Sequence, residues 1–147
     1  MIRALFNGFI GAMALTTVHQ ALRRSLPDAP QLDRVGMRGV ERFYSRIGAH
    51  PPSGDRLFLV ALIADLLANS ILFSQVGSRG GFMSIGKGVS LGLSAGVGAA
   101  TLPAVLGLSK GATKRTRRTA ALTVGMFMLG GLAAGLAAQC GGSRSGR

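Results

Sequence analysis

The stretch LFLVALIADLLANSILF, residues 57–73, decides how the chain is read. It is long and apolar enough for a membrane span, yet it carries Asp65 near its middle and Asn69 one helical turn on. A charged side chain at mid-bilayer costs several kcal/mol, so a carboxylate there marks a function or a packed polar contact. Counted from Arg56, Asp65 lies about 13 Å along the helix and Asn69 about 19 Å. Both fall on one face with Ala61 and Phe73.

Composition agrees with a membrane setting. Of 147 residues, 48% are apolar and 15% charged, 23 are glycine, and none is tryptophan. A soluble helical protein of this size needs more polar surface to cover its core. The net charge is +12, but the basic residues cluster between apolar runs. No nucleic-acid recognition motif or aromatic interleaving accompanies them, so nucleic acid is not an expected partner. The lone Cys140 excludes an intrachain disulfide and a cysteine-based metal cluster.

Apolar segments at roughly 4–22, 57–76, 82–108 and 119–138 each supply the length of a span. The expected fold is therefore an all-α membrane protein, a four-transmembrane-helix bundle forming a single domain over 1–147. The N-terminal run resembles a signal sequence, but it ends in His19, Gln20, Arg23 and Arg24 without a small-residue cleavage site, so it is read as a retained first span. Twelve Lys and Arg residues fall in the two connections 23–56 and 109–118, and five elsewhere. The positive-inside rule makes those connections cytoplasmic and puts both termini on the non-cytoplasmic side. The location expected is a cell membrane, multi-pass, as in the bacterial inner membrane.

The first connection predicts an amphipathic helix over about 29–47. Asp28 and Gln31 have capping-box spacing, and Leu32, Val35, Val40, Phe43 and Ile47 recur at helical intervals. Arg34, Arg38, Arg42 and Arg46 form a column four apart that repels itself in isolation. Anionic phospholipid headgroups are the expected partners, with the helix lying on the membrane interface. A solvated face packed on the bundle is the alternative. Ser53 is a candidate cap for the next helix.

In the third segment every even position from Ser84 to Gly98 is Ser or Gly. A strand with that alternation would leave open edges in lipid, so a helix is expected. It carries two small-residue stripes, Gly86-Ser90-Ser94-Gly98 and Gly88-Gly92-Gly96-Ala100. With Ala4-Gly8-Ala12-Thr16 and Gly131-Gly135, these predict close helix packing. The third span is expected to be sandwiched at the centre of the bundle, or to meet a second protomer with one side. Pro103 suggests a bend near its end.

The polar intramembrane site is expected to comprise Asp65, Asn69, His19 and Thr16. The leading function is a small oligomeric membrane protein, a homo-oligomer or a subunit with a membrane partner. It would conduct or carry a proton, ion or small solute through that site. Two alternatives stay open: a structural subunit whose polar residues hold helices in register, and a membrane-embedded enzyme using Asp65 and His19. No HExxH, GxSxG, CxxC or phosphate-loop motif is present, and no metal or cofactor is implied.

Overall fold

The computed structural model describes residues 1–27, 29–77, 82–108 and 116–142. Asp28 of the expected capping box, Arg79, Lys110, Lys114, Arg115, Arg144 and Arg147 lie outside them. The described residues form five helices: α1 (Ile2–Ser25), α2 (Leu32–Arg46), α3 (Gly54–Ser74), α4 (Phe82–Val105) and α5 (Arg117–Gly142).

Three of these helices, α3, α4 and α5, are long and apolar enough to cross a membrane. The four-span bundle is corrected on this point. The segment 4–22 falls in α1, which has the length of a span. Arg3, Asn7, Thr16, Thr17, His19 and Gln20 dilute its apolar content. The expectation that both termini share the non-cytoplasmic side rested on an even number of crossings and falls with the fourth span.

Helix α1 lies between α3 and α5, and α4 packs along the far side of α5. Neighbours in this row run antiparallel. Gly8 sits on the backbone of Ser70 and Ser74, whereas Thr16 and His19 share a cavity with Ala61 and Asp65. Similarly, Gly11 and Gly130 touch, as do the pairs Gly88–Gly131 and Gly96–Val124. Helix α4 is thus an edge element, not the sandwiched centre that its two stripes suggested. Gly88, Gly92 and Gly96 meet α5, and Gly86, Ser90 and Ser94 face outward.

The core forms where α1, α3 and α5 meet, around Leu15, Phe73, Val76, Met126, Phe127, Ala134 and Ala138. Phe73 is 0% exposed. A Cβ placed on Gly11 or Gly130 would come within 3.1 or 3.0 Å of its ring, so both glycines make room for it.

A side-chain cap is made at the start of α5 and is missing from α1, α2 and α3. The Thr116 hydroxyl accepts the Thr119 N–H at 3.1 Å, capping α5. Helix α2 begins after Gln31, without a side-chain cap, and Ser53 precedes α3 without the capping bond expected of it. Pro103 is accommodated inside α4, two residues from its end. Gly107 then adopts φ 67° and the chain reverses, with Leu108 N–H donating to Pro103 O at 2.8 Å and Gly107 N–H to Ala104 O at 3.1 Å.

Candidate functional site: a polar cavity between three helices

Helices α1, α2 and α3 enclose a cavity of about 30 Å³. Its polar lining comes from Thr16, His19 and Gln20 of α1, Asp33 of α2 and Asp65 of α3, and Gly36 and Ala61 are among the small residues that leave the space. The spacing of Thr16, His19 and Gln20 turns one face of α1 toward α3. Asp65 projects from α3 about a turn beyond Ala61, onto the same contact.

Each polar group here has a distinct setting. His19 is 8% exposed, and its Nε2 lies 3.0 Å from Pro30 O. A carbonyl only accepts, so Nε2 carries the proton of that bond. Asp65 faces His19 across the cavity, and Asn69, one turn farther along α3, is 6% exposed. Asp65 itself remains exposed at the cavity. Thr16 Oγ1 is buried and has no hydrogen-bond partner from the protein. Asp33 pairs with Arg23 at 2.8 Å, at the end of α1 that carries Arg23 and Arg24.

The structure therefore brings Asp65, Asn69, His19 and Thr16 into one neighbourhood. It adds Asp33, which the sequence reading did not name. Its signal was its place in the first turn of α2, one residue after the helix begins. Among the described residues no three His, Cys, Asp or Glu side chains gather as a metal-binding group.

The arginine column of α2 is divided. The Arg38 guanidinium donates to Leu108 O at 2.8 Å, and that of Arg42 donates to Leu106 O. Two of the four arginines thus bind carbonyls of the turn just beyond α4, near the helix end whose dipole favours cations. Arg34 and Arg46 are exposed, as are Phe43 and Ile47.

The remaining polar contact between α1 and α3 lies at the opposite end, where Asn7 Nδ2 donates to Gly77 O at 3.0 Å. The polar residues that lower the hydropathy of α1 thus include Asn7 and His19, which it buries against its neighbours, whereas Phe6, Phe9 and Met13 are exposed. No family model, curated protein or solved structure matches the chain, so its chemistry is read from this geometry alone.

Proposed function

We propose that the chain is a small oligomeric membrane protein that binds and passes protons at Asp65. The observation that carries this reading is the cavity shared by Asp65, His19 and Thr16, with its orphaned hydroxyl. The cavity has room for water beside these groups, and a proton needs only a chain of groups that exchange it. An unmade bond at a buried hydroxyl costs about 1–3 kcal/mol, which a water between Thr16 and the neighbouring polar groups would recover. Asp33, on the same cavity, extends the series of titratable groups from mid-span toward the basic end of the bundle.

An oligomer would complete the site. Asp65 is exposed in the single chain, and a carboxylate left to lipid is costly, so a second copy of the chain, or a membrane-protein partner, covers it. Ile63, Leu67 and Ile71, exposed on the side of α3 turned away from Asp65, face lipid. Arg34 and Arg46 contact anionic headgroups, with Phe43 and Ile47 entering the interface beside them. The location that suits this reading is the bacterial inner membrane.

A second reading, bundle structure alone, is favoured by the place of Asp65 at the contact of α3 with α1, beside His19. Proton flux separates the two. Reconstituted in liposomes holding a pH-sensitive dye, the wild-type chain is expected to dissipate an imposed pH gradient. Asp65→Asn is expected to stop this while its circular dichroism stays unchanged. Equal flux through both proteins would leave Asp65 a structural residue.

A further inference from the structure

Because α1 and α4 flank α5 without closing over it, an apolar groove runs along the outer side of α5. Its volume is about 600 Å³. Val18 and Leu22 of α1 form one wall and Val89 of α4 contributes to the other, with Leu122 and Leu129 of α5 among the residues between. Gly125 lies in the groove, and a Cβ built there would meet nothing within 4 Å. Arg118, in the first turn of α5, is the charged residue of the lining.

We infer that this groove is a binding site for one acyl chain of an anionic phospholipid, with the phosphate held at Arg118. The inference is independent of what Asp65 does. Three observations support it. The groove extends from Arg118 to Leu132, which on a helix is about 21 Å. The hydrocarbon of one leaflet is roughly 15 Å deep, so the groove begins at headgroup level and runs the full depth of a lipid chain.

Its lining suits hydrocarbon. Between Arg118 and Leu132 every residue of the groove is apolar, including Val18, Leu22, Val89, Leu122 and Leu129, as the length of an acyl chain requires.

Charge selects the headgroup. The groove has an arginine at one end, its lining includes no Asp or Glu, and Arg117 adjoins Arg118 in the chain. A phosphate with a net negative headgroup is favoured there over a zwitterionic one, whose ammonium offsets the attraction.

The test uses the full chain in detergent, titrated with dioleoyl phosphatidylglycerol or dioleoyl phosphatidylcholine and read by native mass spectrometry. The expected result is one retained phosphatidylglycerol per chain, in preference to phosphatidylcholine. Arg118→Gln is expected to weaken phosphatidylglycerol retention roughly fivefold and to leave phosphatidylcholine unchanged. Gly125→Phe, whose ring enters open space, is expected to abolish retention of both lipids with helix content intact. Gly125→Leu serves the same purpose with a smaller side chain. Equal retention of the two lipids by the wild type would overturn the proposal. So would undiminished retention in either folded Gly125 variant, or a Gly125 variant that changes only the oligomeric state, which would make the groove a protein interface.

Discussion

Two helix pairs in this molecule solve the same packing problem in opposite ways. Helices α4 and α5 approach through glycine, so that Gly88 and Gly131 lie backbone to backbone, and a Cβ on Gly135 would come within 2.8 Å of Ile85 Cα. Helices α1 and α3 also use a glycine at one end, Gly8, but farther along they meet through Thr16, His19, Ala61 and Asp65 around a small cavity. The first contact has no side chain that can yield. The second has room, titratable groups and an unsatisfied hydroxyl. Rigidity and chemistry are thus separated along the row, and a substitution should act differently on the two sides.

The largest effect is expected where backbone meets backbone. Gly131→Val should cost on the order of 3 kcal/mol or more, because the atoms in its way are those of the Gly88 and Gly92 backbone. Reversible unfolding in mixed micelles would measure it, and a loss below about 1 kcal/mol would show that α4 and α5 can separate cheaply. Phe73→Ala should follow closely, at about 3 kcal/mol, since it opens a cavity between Gly11 and Gly130 at the meeting of α1, α3 and α5.

On the polar side the losses should be smaller and the functional consequences larger. Thr16→Val replaces a buried hydroxyl that has no protein partner by a methyl of similar shape, so stability should change by less than about 1 kcal/mol. Proton flux should fall with it, because the group that holds a water between Thr16 and Asp65 is gone. Flux equal to the wild type would take Thr16 out of the relay. Arg23→Gln breaks the half-exposed pair with Asp33 and should cost only about 0.2–1 kcal/mol. Gly86→Ala on the open face of α4 is expected to act in the opposite direction, since a Cβ there meets nothing and the helix gains at most about 0.5–1 kcal/mol of propensity. A large loss there would reveal a partner against that face.

Much of this comparison was readable in the sequence, though unevenly. The apolar runs around Asp65, Ser90 and Met126 announce membrane-spanning helices by length and composition alone, and α3, α4 and α5 are those helices. Helix α1 misled because its apolar run is interrupted by residues that acquire meaning only in three dimensions. Asn7 and His19 are buried against neighbours, and no periodicity in the chain shows which neighbours those are. The edge position of α4 was equally hidden, since two stripes of small residues look the same whether one side or both are packed.

The site shows the same limit. Asp65 and Asn69 stood out because their polarity is rare in such a run. His19 and Thr16 could be named as candidates, but the distance from α1 to α3 belongs to the fold. Asp33 carried no local signal beyond its place in the first turn of α2, and it enters the site only because α2 lies across the ends of α1 and α3. For the same reason the column of Arg34, Arg38, Arg42 and Arg46 could not reveal that two of its members reach carbonyls of the turn that follows α4.

The most direct test of the central claim is a pH-dependent infrared difference spectrum of the protein in liposomes, with Asp65→Asn to assign the carboxyl band and Thr16→Val to perturb its surroundings. A working proton site predicts an Asp65 band that changes across the physiological pH range and shifts when Thr16 is replaced. A band that is indifferent to both would contradict it and leave Asp65 as a contact that holds α1 and α3 together.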